Sequence, residues 1–294
     1  MHLSTAHLIF RGLLACAVMV ASSFPAAAAQ LQPFKDELFS YGTVLETADS
    51  GDYRVVDYQE MRDINGRDQV PERRAKRAYV SLGVKSEQVN ETVDAAGRPL
   101  DITRVGRGQG AAFSVIFIHG RGGDRRLGAN DWSFGGNFNR LKNLAVENGG
   151  VYYAPSVRSF DDAGGADVAG LIAYAQRQSP GRPVVLACAS MGSFICWGLT
   201  RNPQAVAALK GMMIMGGPTD PTFRNSAAYK AKLPLFFSHG SADSVYAAAD
   251  QVALYRSLKA AGYPSRFVLF QAGSHGTPVR MTDWRDALNW IGLD

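Results

Sequence analysis

Three residues far apart in the chain have the side chains needed for acyl transfer: Ser190, Asp243 and His275. Ser190 closes the run Pro183-Val-Val-Leu-Ala-Cys-Ala-Ser190-Met-Gly192, an apolar, β-branched stretch with small side chains two residues before and two after the serine. This pattern predicts a strand that turns sharply into a helix. Small groups at Cys188 and Gly192 let strand end and helix start approach closely, and the serine sits at the strained tip. A serine hydroxyl is a weak nucleophile at neutral pH, so a base must take its proton as it attacks. His275, in the loop Gly273-Ser-His-Gly-Thr277 after the last apolar run, is the candidate base. Asp243 ends Pro234-Leu-Phe-Phe-Ser-His-Gly-Ser-Ala-Asp243 and is the candidate for orienting the imidazole and stabilising the imidazolium that forms.

Taken together, Cys188-x-Ser190-x-Gly192, then His239-Gly-x-x-Asp243, then His275 resemble the α/β-hydrolase family, with Cys188 where that family usually has glycine. The order Ser, Asp, His is the family's order. The resemblance covers roughly residues 79–294. It implies an α/β-hydrolase fold, a mostly parallel central sheet with helices on both faces. It also implies two backbone amides that stabilise the oxyanion, one directly after the nucleophile, at Met191. The second would come from the loop after Ile116-Phe-Ile-His119-Gly-Arg-Gly-Gly123, at Arg121 or else Gly122. Fewer than twenty residues separate the run ending at Met215 from the one starting at Pro234, where many lipases of the family insert a cap. A minimal or absent cap therefore implies an open cleft of esterase or thioesterase type. The implied reaction is hydrolysis of a small-molecule carboxylic ester or thioester through an acyl-enzyme on Ser190, without a cofactor. Two alternatives compete with it. A serine peptidase of the prolyl-oligopeptidase type shares the triad order but usually carries a propeller domain missing here, and a non-catalytic binding protein could use the same scaffold.

Positioning these residues requires alternating strands and helices. From Phe113 onward apolar runs alternate with helical patterns, the signature of a parallel sheet covered on both faces. Strands are expected at 113–118, 151–154, 183–189, 211–215, 234–238 and 265–271, and helices at about 137–148, 164–178, 191–201, 246–261 and 282–292. Two weaker strand candidates, 78–84 and 98–105, flank a turn at 95–98 and fit antiparallel edge strands. Residues 30–78 are polar and rich in charge, and they receive no assignment as an N-terminal extension to the hydrolase domain at 79–294.

The first 29 residues read as a signal peptide: Arg11, an apolar stretch from Leu13 to Phe24, then Ala-x-Ala ending at Ala29. The stretch is too short to span a bilayer, so no stable membrane anchor is expected after cleavage, and a secreted or periplasmic location follows. Cleavage leaves about 265 residues, ample for one domain, and lowers the formal charge from +5 to +4 by removing Arg11 and no acid. This small basic excess has no aromatic interleaving and no nucleic-acid-binding module, so no nucleic-acid partner is expected. Nothing in the sequence fixes an oligomeric state.

Other residues carry weaker expectations. An exported compartment permits Cys188 and Cys196 to pair, while two buried thiols acting as small hydrophobes is the plainer expectation. Arg125, Arg126 and Arg158 fall, like Arg121, in loops at the carboxyl edge of the sheet, where they could read a carboxylate or phosphate on the substrate. His119 and His239 precede glycines at strand ends and are read as structural. No metal is expected: there is no His-Glu-x-x-His, no paired Cys-x-x-Cys, and Asp161-Asp162 suits a solvated turn.

Overall fold

The computed structural model describes residues 1, 2 and 30–293; apart from its first two residues, the leader expected over 1–29 lies outside them. Ten strands form one sheet: β1 (Val44–Ala48), β2 (Tyr53–Val56), β3 (Gln88–Asp94), β4 (Pro99–Val105), β5 (Ser114–Ile118), β6 (Val151–Pro155), β7 (Val184–Ala189), β8 (Leu209–Met215), β9 (Leu235–Gly240) and β10 (Ser265–Phe270). Their spatial order is β1-β2-β10-β9-β8-β7-β5-β6-β4-β3. From β2 to β6 every neighbouring pair is parallel, and antiparallel pairs close both edges. Helices on its two faces include α1 (Asn137–Glu147), α2 (Asp162–Gln178), α3 (Gly192–Leu199), α4 (Ala248–Ala260) and α5 (Trp284–Ile291).

The central strands are apolar on both faces because both faces are covered. Alternate residues of β5 and β7 point opposite ways: Ile116, Ile118, Leu186 and Cys188 join one core with residues of α2, α3 and α4. Val115, Phe117, Val185 and Ala187 join a second core with Phe138 and Leu141 of α1 and Trp284 and Leu288 of α5. Two aspartates cap helices: Asp161 accepts from the amides of Ala163 and Gly164 at the start of α2, and Asp283 from Arg285 and Asp286 at the start of α5.

The antiparallel edge differs from expectation. The 95–98 turn does join two strands, with Ala96 and Gly97 both at positive φ as a tight hairpin turn requires. The strand before it, however, is 88–94. Residues 78–84 are not a strand: turn hydrogen bonds hold Tyr79 and Val80, and Ser81 is held by a side chain of α1, with Asn139 both accepting from the Ser81 amide (2.8 Å) and donating to its carbonyl (2.8 Å). Residues 30–78 supply β1 and β2, the latter parallel to β10. Their charges meet buried partners in the rest of the chain. Asp36 pairs with the fully buried Arg140 (3.0 Å) and with Arg285 (2.9 Å), and Asp68 pairs with Arg280 (2.7 Å).

Between β8 and β9, residues 216–234 hold a 3-10 turn at Phe223–Asn225 and the four-residue helix Ala227–Lys230. The insertion at that position is limited to these two short elements.

Candidate active site

Ser190 follows the last residue of β7 and has a φ of 53°, the left-handed region that a side chain occupies only under strain. Its conformation is fixed from several sides. The Ser190 amide donates to the Met215 carbonyl (3.0 Å), and the Ser190 carbonyl accepts from the Ser193 amide (3.0 Å). Gly192 must lack a Cβ, since one would stand 2.6 Å from the His119 carbonyl oxygen and 2.9 Å from that of Ile118. Cys188 and Cys196 form a disulfide, with Cα atoms 6.2 Å apart, tying the end of β7 to α3 across the serine. The expectation of two free thiols is thereby corrected: a helix turning straight back from the strand brings its second turn over the strand end.

The three candidate reacting side chains meet at this edge. The Ser190 hydroxyl lies 2.9 Å from His275 Nε2, and His275 Nδ1 lies 2.8 Å from Asp243 Oδ2. The Asp243 side chain is fully buried and its other oxygen, Oδ1, accepts from the amides of Val245 (2.8 Å) and Tyr246 (3.1 Å). The His275 ring is partly open to the cleft. With Nδ1–H committed to the carboxylate, Nε2 is left as an acceptor facing the hydroxyl, which is the tautomer that can take its proton.

Opposite the imidazole, the loop after β5 packs directly on the serine. A Cβ on Gly120 would lie 2.8 Å from Ser190 Cβ and 3.2 Å from its hydroxyl, so only glycine lets the loop come this close. The amides of Met191, Arg121 and Gly122 donate to no protein group among the described residues. Met191 immediately precedes α3, so its amide shares the positive end of that helix. Together these amides can stabilise negative charge developing on a substrate oxygen. Behind the loop, His119 donates from Nδ1 to the Gly120 carbonyl (2.7 Å) and accepts at Nε2 from the Val157 amide (3.1 Å). Burial pushes its pKa below the ordinary range, consistent with a neutral ring holding the loop.

A cleft of about 440 Å³ opens above Ser190 and His275, within the size range of small-molecule sites. Its walls are largely apolar, from Leu127, Phe134, Met215, Val245 and Val279. These residues come from five separate segments, and no spacing in the sequence announces them. Arg121 is the cation on its rim. The other three arginines do not line the cleft: Arg126 turns back on Asp124, Arg125 lies 4.0 Å from Asp101, and Arg158 donates to the Pro99 carbonyl (3.2 Å). The expectation that they read a substrate anion would need them at the cleft, and none of the three lines it. Among the described residues no three His, Cys, Asp or Glu side chains gather as a metal would need.

No family model matches the chain, nor does any curated protein. Solved structures do. A thermostable esterase superposes with a TM-score of 0.54 at 15% identity, over 71% of this chain and 63% of its own, so the chain spans under two thirds of that protein. The esterase Pf2001 of Pyrococcus furiosus gives a TM-score of 0.53 at 14% identity, over 70% of this chain and 91% of its own. The S-formylglutathione hydrolase FrmB of Staphylococcus aureus gives 0.51 at 12% identity, over 70% and 95%. The chain has the α/β-hydrolase fold.

Proposed function

We propose that this protein is a serine hydrolase that cleaves carboxylic esters or thioesters through an acyl-enzyme on Ser190. One observation carries the reading: a continuous hydrogen-bonded relay from the Ser190 hydroxyl through His275 to the buried Asp243, at 2.9 and 2.8 Å. His275 Nε2 takes the hydroxyl proton as Ser190 Oγ attacks the acyl carbon, and the amides of Met191 and Arg121 or Gly122 stabilise the resulting oxyanion. Collapse expels the alcohol or thiol, which takes the proton back from His275. Water, deprotonated by the same imidazole, then releases the acid and regenerates Ser190. The apolar walls favour a neutral, apolar acyl or alcohol group. The signal-like leader and the disulfide both favour an exported protein, secreted or periplasmic.

The test is turnover of short p-nitrophenyl esters by the wild type and by Ser190→Ala. The variant is expected to keep its fold by circular dichroism and to lose on the order of 10⁶-fold in kcat, as removal of a serine nucleophile does elsewhere. Full activity in the folded variant would refute the assignment.

A further inference from the structure

The buried ring of His239, at the end of β9, lies directly behind the relay. It is fully buried. Its Nε2 faces two oxygens, Asp243 Oδ2 at 3.1 Å and the Tyr246 carbonyl at 3.0 Å. Its Nδ1 faces Gln251 Oε1 at 2.8 Å. The orientation of the Gln251 amide is set from its far side, where Nε2 donates to the Gly217 carbonyl at 2.7 Å. Reversing that amide would oppose two oxygens and leave a buried carbonyl without its donor. Both nitrogens of His239 therefore look at acceptors, and every contact is attractive at once only when both carry hydrogen.

His119 is the control within the same molecule. That ring also precedes a glycine at a strand end, yet one nitrogen faces a carbonyl and the other an amide N–H, an arrangement a neutral ring satisfies completely. Among the described residues no N–H faces His239.

We infer that His239 is a cationic positioning residue. It is held in that form by Gln251 and Tyr246, and it donates to the same oxygen of Asp243 that accepts from His275. It acts through Asp243, since Asp243 lies between it and His275. Asp243 is thereby clamped by four donors: the amides of Val245 and Tyr246 on Oδ1, and two imidazoles on Oδ2. A positive charge on the far side of the carboxylate also offsets part of the attraction between Asp243 and a protonated His275, and loss of that charge strengthens the attraction. The charged or titratable groups around the ring are Asp243 on the following loop and His275 beyond it. The Tyr246 phenol stands beside His275 with ring centroids 5.8 Å apart, and Arg121 acts on that phenol from the rim. Gln251 from α4 and Gly217 after β8 contribute only neutral groups.

The inference rests on the triad reading, and its test separates the two. Two variants are compared with wild type in the pH dependence of kcat/KM for a neutral ester. His239→Gln removes the charge. Gln251→Met removes the acceptor at Nδ1, so the ring can become neutral while still donating to Asp243. Both are expected to move the acid limb of the profile upward by about one pH unit, whatever happens to the plateau. An acid limb that stays in place in either folded variant overturns the inference, even if the plateau falls. Failure of the triad reading gives a different result: turnover persisting in Ser190→Ala.

Discussion

The two flanks of the proposed nucleophile are built differently. On one side, the loop after β5 reaches Ser190 through backbone alone: Gly120 lies against the serine, Arg121 and Gly122 line the cleft, and a neutral His119 pins the loop from behind. On the other side, the loops after β9 and β10 bring ionisable groups together: a buried carboxylate, a partly open imidazole and a second imidazole enclosed behind them. The difference follows from what each side must do. An oxyanion is stabilised best by fixed dipoles that need not reorganise as charge develops. A proton relay needs groups that change charge, and in a buried site these must be held by further charged or hydrogen-bonded neighbours. The two histidines illustrate this, since the same residue before a glycine at a strand end takes opposite roles according to whether its second nitrogen meets a donor or an acceptor.

The comparison can be broken from the relay side first. Asp243→Asn keeps the shape but no longer fixes the tautomer of His275, and a loss of about 10⁴-fold in kcat is expected by analogy with the serine-protease triad. Esterase kinetics on purified protein measures it, and a loss below tenfold would mean the carboxylate is not part of the relay. On the oxyanion side, Gly120→Ala forces the loop away from the serine. The expected cost is about 10²-fold in kcat, in the range seen when one oxyanion donor is lost, with little change in KM.

Two further predictions concern stability. Asp68→Ala leaves Arg280 without its carboxylate beneath the helix Thr277–Met281, which follows His275 in the chain. About 3 kcal/mol of destabilisation is expected, readable in urea unfolding. The smallest effect separates the two histidines by pH. The folded pKa of His119 is depressed by burial, so below about pH 6.5 the unfolded chain binds more protons and this part of the stability falls as pH drops. The Tm penalty of His119→Gln should therefore be about two degrees smaller at pH 5 than at pH 7. A penalty that grows on acidification would mean that His119 is held as a cation instead.

The parallel block of the sheet was legible because its strands are buried on both faces and read as unbroken apolar runs. Each of the six strands and five helices expected after Phe113 is found within a few residues of its expected limits. The N-terminal flank was not legible for the opposite reason. Asp36 and Asp68 look like solvated charge in a sequence, and only the fold reveals buried arginines waiting for them. In the same way 78–84 alternates like a strand but is tied down by the amides of Asn139 and Asn143.

Within the candidate site, Ser190, Asp243 and His275 stood out because acyl transfer calls for those side chains in an ordered series of strand ends. The cleft walls had no such signal, since Leu127, Phe134 and Val279 meet only through loop geometry. Side-chain direction was equally hidden for Arg125, Arg126 and Arg158, none of which lines the cleft. Gln251 was missed in the sequence, although it lies four residues before Tyr255 on the buried stripe of α4. A polar residue on that stripe is itself the signal of a buried hydrogen-bonding task.

The central claim is that Ser190 is activated as a nucleophile by His275. Treatment with a fluorophosphonate, followed by peptide mass spectrometry, tests it most directly. The account predicts one adduct, on the peptide containing Ser190, formed rapidly in the wild type and lost in His275→Ala. A folded wild-type protein that stays unlabelled, or one labelled equally well without His275, would contradict it.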